Sequence, residues 1–293
     1  MKLDGVFAPL TTPFSADGSV ALDRLRENIG RYNQTRLRGY VINGSTSESV
    51  LLRWDEVYRI WETAKEAAVP GKLLIAGSGA ESTSETIEHT NRAASLGYEL
   101  ALVRTPSFYK PAMSDQTLAT HYLRVAESSR IPILLYSVPI FTNITVKASL
   151  VASVAKHPNI IGIKDSSGDV AGISAIIDAA PKSFQTLVGS ASTLHESLKA
   201  GAVGAILALA DAFPETCVDV YEASRAADPT RASQLQKKLS AASEMFGARY
   251  GIVGLKYALD RLGYFGGPPR PPLLPVNETE QREIDAMLVK VAP

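Results

Sequence analysis

The chain contains one cysteine, Cys217, so no disulfide can form within it. It has no apolar run near the roughly 20 residues that a bilayer-spanning helix needs, and the longest candidate, 201–210, has the length of a barrel strand. The first five residues, MKLDG, lack the apolar core of a signal peptide. These absences predict a cytoplasmic protein that does not bind a membrane.

Neither sign of charge is in excess. The 30 lysine and arginine residues balance 30 aspartate and glutamate residues, for a formal net charge of +0. A neutral chain has no global field that would attract nucleic acid. We therefore expect a small-molecule substrate that is recognised locally, and no nucleic acid partner.

The four histidines are not spaced as metal ligands. His89, His121, His157 and His195 show neither Glu-X-X-His nor His-X-His spacing. The glycine-rich turn at 77–82 has serine where a dinucleotide-binding fingerprint needs glycine or alanine, so a tight turn explains it. The sequence therefore predicts no metal and no cofactor.

What the chain does contain is a repeated alternation of short β-rich runs and amphipathic segments, at a spacing of very roughly 20 to 35 residues that is typical of βα units. Strands are predicted at 6–8, 39–42, 73–76, 100–103, 133–136, 160–164, 185–188 and 205–208. Helices are predicted at 22–32, 55–68, 84–96, 114–128, 146–156, 215–227, 230–246, 251–262 and 278–288. Several of the β-rich runs are apolar at both odd and even positions, as expected for parallel strands that are covered on both faces.

Eight strand–helix units predict a (β/α)8 TIM barrel with a C-terminal helical extension, with a doubly wound sheet as the second possibility. We expect residues 1–210 to form the barrel and carry the active site, and residues 211–293 to form the extension packed on it. The Gly/Pro-rich stretch at 266–272 is predicted to be an irregular connection packed on the body. In such a barrel, functional residues lie at the C-terminal ends of the strands.

One lysine, Lys164, ends an apolar, β-branched run just before a small polar turn. If the strand directs it inward, burial lowers the pKa of Lys164 and leaves free amine that can attack a carbonyl. The alternative is a lysine whose head reaches water at the rim. Tyr136 closes the preceding strand; it is either a packed ring or a phenol that passes protons to and from a group on Lys164.

A turn of small polar residues at 43–48 follows the second strand. Its backbone N–H groups and the hydroxyls of Ser45 and Thr46 could hold a carboxylate. Ser45 and Glu48 also have the spacing of a capping box, which would explain these residues as the start of a helix. The two roles are compatible.

Several motifs give the chain a family resemblance. They are TTPF at 11–14, GSTSE at 44–48, YSVP at 136–139, GIKDSSGD at 162–169 and RPPL at 270–273. With these motifs, the chain resembles the dihydrodipicolinate synthase / N-acetylneuraminate lyase family of Schiff-base class I aldolases, nearly from end to end.

The resemblance implies a (β/α)8 barrel with C-terminal helices that assembles as a homotetramer, a dimer of dimers. It also implies that Lys164 forms the Schiff base with the 2-oxo group of pyruvate or of a pyruvate-containing substrate, and that Tyr136 is the proton shuttle. Ser45 and Thr46 would bind the pyruvyl carboxylate and extend the proton relay. Ile206 would pack near the bound pyruvyl unit.

Within the family, the chain is most similar to the 4-hydroxy-2-oxoglutarate aldolase-like members. The similar segments are LLIAGSGAEST at 73–83, IPILLYSVP at 131–139, HPNIIGIKDSSGDV at 157–170, FQTLVGSA at 184–191 and GYFGGPPR at 263–270. In that branch, residues matching Ser166 and Gly189 also line the substrate site. The branch motif Gly-Ser-Asn-Gly-Glu, however, is GSTSE here.

Two departures concern the substrate partner. In synthase members, an arginine two residues after the Tyr-X-Val-Pro motif helps to hold the carboxylate of aspartate semialdehyde, and here that residue is Phe141. The tyrosine pair that normally follows Thr-Pro is Ser107-Phe108, so the phenol that one subunit lends to the other is missing from its usual position. Tyr109 follows immediately, and whether it replaces that phenol is open.

The resemblance thus implies a lyase that cleaves 4-hydroxy-2-oxoglutarate to pyruvate and glyoxylate. One alternative is dihydrodipicolinate synthase, which condenses pyruvate with aspartate semialdehyde. An alternative of another class is a non-catalytic oxo-acid binding protein. Lys164 and Tyr136 argue against this last alternative, because carboxylate recognition needs neither a covalent amine nor an acid/base phenol.

Overall fold

The protein is described from a computed structural model that covers residues 1–226 and 228–291. Eight parallel strands pair in chain order and close into a barrel, with the eighth strand beside the first. They are β1 (Gly5–Pro9), β2 (Gly39–Ile42), β3 (Leu73–Gly77), β4 (Leu100–Arg104), β5 (Ile133–Ser137), β6 (Ile160–Asp165), β7 (Gln185–Val188) and β8 (Gly204–Ile206). The predicted (β/α)8 barrel is therefore confirmed.

Helices surround the barrel and follow it in the chain. Those up to the sixth unit are α1 (Leu22–Tyr32), α2 (Trp54–Ala67), α3 (Thr83–Ser95), α4 (Asp115–Ser128), α5 (Pro139–Thr142), α6 (Ala148–Val154) and α7 (Val170–Ala179). The later ones are α8 (Leu194–Lys199), α9 (Leu209–Ala212), α10 (Pro214–Arg225), α11 (Pro229–Ser243), α12 (Gly251–Arg261) and α13 (Glu278–Val291).

Several predicted bounds differ from the observed ones. The eighth strand ends at Ile206 rather than at residue 208, because the short helix α9 begins three residues later and draws the chain out of the sheet. The helix predicted at 230–246 stops being α-helical at Ser243 and continues as a π-helix, Glu244–Arg249. The predicted end of another helix, Ala227, lies outside the described residues.

Side chains inside the barrel and side chains between the barrel and its helices form separate apolar clusters. On β4, Leu100 and Leu102 belong to the interior cluster, whereas Ala101 and Val103 pack against the outer helices. This alternation follows from the pleat of a strand, which directs successive side chains to opposite faces. The position of a residue along its strand therefore decides whether its side chain points into the barrel or toward the outer helices.

The C-terminal helices pack on the barrel. Helix α10 contacts β1 and α8, whereas α13 contacts α11 and α12. The division at residue 210 stays a prediction, and we propose that α10 belongs to the barrel as the helix of the eighth unit. The stretch after α12 packs on the body as predicted, since the Arg270 guanidinium donates to both carboxylate oxygens of Glu56 at 2.7 Å.

In the described ranges, no helix has the length and apolarity needed to cross a membrane.

Candidate active site

A cavity of about 1040 Å³ opens at the C-terminal ends of the strands. Six of the seven residues predicted for the site line it: Ser45, Thr46, Tyr136, Lys164, Ser166 and Gly189. The seventh, Ile206, is buried on β8 and packs in the interior cluster that also includes Tyr136. Ile206 is absent from the cavity lining among the residues described.

A register shift in β6 aims Lys164 into the barrel. Ile133 pairs with Ile160 but Leu134 pairs with Gly162, so Ile161 is an additional residue in β6. Ile160 packs on the outer helices and Ile161 against the interior cluster. If side chains alternated strictly from Ile160 onward, Lys164 would point outward. The additional residue forms a β-bulge that reverses the alternation, so Lys164 points inward.

Lys164 and Tyr136 are neighbours on paired strands and are almost fully buried. The two residues are register partners, and only 4% of Lys164 and 5% of Tyr136 is exposed. The Lys164 Nζ lies 4.2 Å from the centroid of the Tyr136 ring. The Tyr136 hydroxyl lies 3.3 Å from Ser45 Oγ, so the phenol is linked to the turn after β2. An amine, a phenol and a second hydroxyl thus share one wall of the cavity.

The turn after β2 is not the start of a capped α-helix. Ser45–Ser47 forms a short 3₁₀-helix, and Glu48 follows it in the left-handed region at φ 57°. The Glu48 carboxylate does not return to Ser45; it accepts hydrogen bonds from Lys256 Nζ at 2.7 Å and from the Arg270 N–H at 2.8 Å. The capping box that the spacing of Ser45 and Glu48 allowed does not form, because a distant cation binds the carboxylate that the box needs.

The Glu48–Lys256 ion pair ties the turn to the C-terminal helices. Both side chains are 1% exposed, and Lys256 Nζ also donates to the Thr12 carbonyl at 2.9 Å. Burial lowers the pKa of Lys256, and the Glu48 carboxylate opposes that shift. Sequence spacing could not reveal this pair, since its members are 208 residues apart in the chain.

Replacing Lys256 with methionine is expected to lower the free energy of unfolding by about 3 to 5 kcal/mol, because the Glu48 carboxylate would stay buried without its cation. Urea denaturation followed by circular dichroism measures this loss. Lys199→Met is the matched control: Lys199 pairs with Glu196 at 3.1 Å on the surface, where an ion pair contributes about 1 kcal/mol or less. Equal losses for the two variants would contradict a special role for the buried pair.

The loops after β5, β6 and β7 are bonded to one another beside Lys164. The Ser166 N–H donates to the Ser137 carbonyl at 2.9 Å, and the Gly189 N–H donates to the Asp165 carbonyl at 2.6 Å. A Cβ on Gly189 would overlap the Ser166 hydroxyl and lie 2.9 Å from Ser166 Cβ, so a side chain at position 189 would push Ser166 away from its present place. These bonds hold Ser166 and Gly189 at the cavity wall.

A buried carboxyl, Asp211, lies between the barrel and α10. Its Oδ2 accepts a hydrogen bond from the Thr11 N–H at 3.1 Å, and its Oδ1 has no partner among the described residues. Burial raises the pKa of Asp211, which the Thr11 N–H and the positive charge of Lys164 partly counteract. Asp211 therefore keeps its proton to higher pH than an ordinary aspartate does.

Arg104, a cavity residue that the sequence motifs did not single out, ends β4. Its Nη1 donates to Glu81 Oε1 at 2.6 Å, and 21% of its side chain is exposed. Burial alone would raise the pKa of Glu81, but the Phe108 N–H, Arg104 and the Ser107 N–H lower it overall. The available sequence signal was a charged residue at the end of an apolar run, the same signal that identified Lys164.

The outer part of the cavity is more apolar. Ile140 and Phe141 line it, and 69% of Phe141 is exposed. Phe108 and Tyr109 stand edge to face nearby with 5.1 Å between ring centroids, and both are exposed. Tyr109 is not part of the cavity lining among the described residues.

The histidines lie away from the cavity lining. His89 Nδ1 is 2.7 Å from the Tyr58 hydroxyl and His121 Nδ1 is 2.9 Å from the Thr83 hydroxyl. Within residues 1–226 and 228–291, no group of three or more His, Cys, Asp or Glu side chains is placed to hold a metal ion.

Comparison with known proteins gives consistent matches over nearly the whole chain. The family model described as "Dihydrodipicolinate synthetase family" matches residues 2–291. A Methanothrix thermoacetophila protein named 4-hydroxy-tetrahydrodipicolinate synthase is 34% identical over 290 residues, covering 98% of this chain and 97% of that protein. A Rhizobium meliloti protein of the same name is 34% identical over 286 residues, covering 97% of each.

Solved structures agree with the sequence matches. A chloride-inhibited dihydrodipicolinate synthase from Acinetobacter baumannii, determined in complex with pyruvate, is similar with a TM-score of 0.94. It is 29% identical, and the similarity covers 99% of each chain. A Bacillus anthracis dihydrodipicolinate synthase has a TM-score of 0.95 at 22% identity, a likeness in fold.

Proposed function

Because this chain belongs to the dihydrodipicolinate synthetase family, we propose that it condenses pyruvate with aspartate semialdehyde through a Schiff base on Lys164. The membership makes the chain an enzyme, a pyruvate-dependent lyase of the class I aldolase type. The observation that carries the proposed chemistry is the placement of the Lys164 amine beside the Tyr136 phenol, in the cavity at the C-terminal ends of the strands.

Lys164 supplies the covalent step. Its amine attacks C2 of pyruvate, and loss of water gives an iminium that accepts electron density from the neighbouring carbon. Removal of a C3 proton then gives an enamine, whose C3 forms the new bond to the aldehyde carbon of the partner. Burial in the barrel suits this step, because it holds the Lys164 amine in one place beside the Tyr136 ring, where the 2-oxo carbon must be attacked.

Tyr136 moves the protons. The carbinolamine must lose its hydroxyl as water, and the aldehyde oxygen must gain a proton as the new bond forms. The Tyr136 phenol lies beside Lys164, and Ser45 extends the chain of hydroxyls from it. Thr46, next along the same turn, is proposed to share in this relay and, with Ser45, to hold the pyruvyl carboxylate.

Three further residues are proposed to contact the substrate. Ser166 and Gly189 line the cavity beside Lys164, and Ile206 packs in the interior cluster that contains Tyr136. The first two can offer a hydroxyl and a close approach to backbone, and Ile206 an apolar surface. None of these roles needs a cofactor.

The names of the relatives support condensation better than the cleavage reaction implied by the branch resemblance. Both 34%-identical relatives described above are named 4-hydroxy-tetrahydrodipicolinate synthase. The second candidate is cleavage of 4-hydroxy-2-oxoglutarate to pyruvate and glyoxylate. It is favoured by Phe141, an exposed apolar side chain where synthase members are expected to have an arginine. Both reactions pass through the same Lys164 imine and differ in the aldehyde partner.

Relative rates on the two substrates test this proposal. We expect the purified protein to consume pyruvate and aspartate semialdehyde with a kcat/KM at least about tenfold above its kcat/KM for cleavage of 4-hydroxy-2-oxoglutarate, a difference of about 1.4 kcal/mol in transition-state stabilisation. Efficient cleavage without condensation would establish the second candidate instead. A pyruvate adduct with turnover of neither substrate would indicate an oxo-acid binding protein.

The assembly and the location are also proposals. We propose a homotetramer built as a dimer of dimers, and the exposed apolar side chains Val50, Phe108 and Tyr109 support it, because a second copy would remove them from water. Whether Tyr109 then replaces the phenol that one family subunit lends to another depends on that assembly. A cytoplasmic location stays a prediction.

A further inference from the structure

Arg104 lies on the same level of the barrel as the two residues of the proposed chemistry. It is the register partner of Tyr136, which is in turn the register partner of Lys164. The three residues therefore lie side by side near the C-terminal ends of three adjacent strands, β4, β5 and β6. Across two strand spacings, Arg104 and Lys164 are separated at the backbone by roughly 9 to 10 Å.

The Arg104 side chain belongs to the cavity and not to the outer surface. Two residues earlier on β4, Leu102 faces the barrel interior, and strand alternation gives Arg104 the same direction. Gly79, which faces Arg104, has no side chain to occupy the space that the arginine uses. A Cβ at position 79 would lie 2.8 Å from Arg104 Cγ and 2.6 Å from the Arg104 backbone nitrogen. A guanidinium can therefore reach the mouth of the cavity from this strand end.

Arg104 keeps donors available for a ligand. Its Nη1 binds Glu81 Oε1, and no other hydrogen bond of its guanidinium is found among the described residues. Glu81 is itself held by other donors, since its Oε2 accepts from the N–H groups of Ser107 at 2.8 Å and Phe108 at 2.9 Å. The guanidinium thus has unused N–H groups and a partner carboxylate that is already partly neutralised.

The charge of the lining indicates what those donors bind. Of the described side chains that line the cavity, only Lys164 and Arg104 are basic. If Lys164 becomes an imine at the oxo carbon, Arg104 is the one basic side chain left for an anionic group elsewhere on the substrate. Arginine presents two parallel N–H groups that match the two oxygens of a carboxylate.

We propose that Arg104 binds the carboxylate at the far end of the substrate, the end that comes from the aldehyde partner, and so selects for anionic partners. This proposal rests on the proposed function, because it takes Lys164 as the point of attachment. It holds for both candidate reactions, since aspartate semialdehyde and glyoxylate each carry a carboxylate. Arg104 is thus a specificity-determining residue contributed by β4.

Two oxo acids that differ only at the far end test the proposal. Both 2-oxoglutarate and 2-oxopentanoate can form an imine at C2, but 2-oxopentanoate has a methyl group where 2-oxoglutarate has its second carboxylate. Borohydride reduction followed by intact-protein mass spectrometry gives the concentration of each acid that traps half of the protein. Pyruvate, which has no far end, is trapped in parallel.

We expect Arg104→Gln to weaken trapping of 2-oxoglutarate by about 10- to 100-fold, the range of one charge-assisted hydrogen-bonded contact. Trapping of 2-oxopentanoate and of pyruvate should change by about twofold or less. Arg104→Lys should restore part of the preference, since it keeps the charge but not the paired donors. Arg92→Gln is the control, because Arg92 also binds a glutamate, Glu62, at 3.1 Å, but lies on α3 outside the cavity lining.

Glu81→Gln distinguishes ligand binding from a structural role. If Arg104 only braces the loop through Glu81, Glu81→Gln and Arg104→Gln should impair all three oxo acids alike, and that result would overturn the proposal. If Arg104 binds the far carboxylate, Glu81→Gln should keep the preference for 2-oxoglutarate. Failure of the wild type to trap pyruvate would instead overturn the proposed function, so the two failures are separable.

Discussion

Lys164→Ala is expected to lose turnover by on the order of 10⁴- to 10⁶-fold and to lose the borohydride-stable pyruvate adduct completely. The reason is that no other amine lines the cavity among the described residues, so neither the imine nor its electron sink can form. Peptide mass mapping after reduction with pyruvate should place a single adduct on Lys164 in the wild type.

Lys164→Arg separates the charge of this residue from its reactivity. Arginine keeps a cation near the Tyr136 ring, but its guanidinium does not lose a proton in proteins and cannot attack a carbonyl. We expect this variant to form no adduct, whereas the surface variant Lys199→Ala should form the adduct normally. An adduct that persists in Lys164→Ala, or its absence from the wild type, would overturn the mechanism.

Tyr136→Phe should still bind pyruvate and reach the imine at equilibrium, although more slowly, and should lose kcat by about 10²- to 10⁴-fold, the usual contribution of a positioned acid/base. The substitution keeps the ring that lies 4.2 Å from Lys164 Nζ and removes the hydroxyl that faces Ser45. Parallel measurement of kcat and of the pyruvate concentration for half-maximal trapping separates the two steps.

The control for this variant is Tyr221→Phe, because the Tyr221 hydroxyl donates to the Val203 carbonyl and the residue does not line the cavity in the described ranges. Its kcat should stay within about twofold of the wild type. A similarly unchanged kcat for Tyr136→Phe would remove the phenol from the proton relay. A rise in the pyruvate concentration for half-maximal trapping, measured after the imine has equilibrated, as large as the loss of kcat would make Tyr136 a binding residue instead.

Much of the fold follows from local patterns. Apolar runs and the helical spacing between them predicted eight strand–helix units, and helix α1 has the predicted bounds of Leu22–Tyr32. These features are local, because the periodicity of a segment and its turn residues decide whether it forms a helix or a strand. The end of β8 was misplaced because α9 begins there, a competition that strand propensity alone does not reveal.

The candidate site was predictable where chemistry depends on residue type at a strand end. Lys164 and Tyr136 are such residues, and the barrel brings both to one cavity. The alternative reading of Ser45 and Glu48 as a capping box rested on spacing, a local signal, whereas the Glu48 carboxylate binds Lys256 from α12. A contact across 208 residues leaves no trace in local spacing.

The sequence by itself determined the barrel, the strand that carries Lys164 and the chemistry that an amine and a phenol on neighbouring strands can perform. Only the tertiary structure decided that Lys164 faces inward, because the additional residue Ile161 shifts the register of β6 and reverses the side-chain alternation beyond it. The tertiary structure likewise placed Arg104 on the same level as the amine. Both results depend on pairing with a neighbouring strand, which a single segment does not encode.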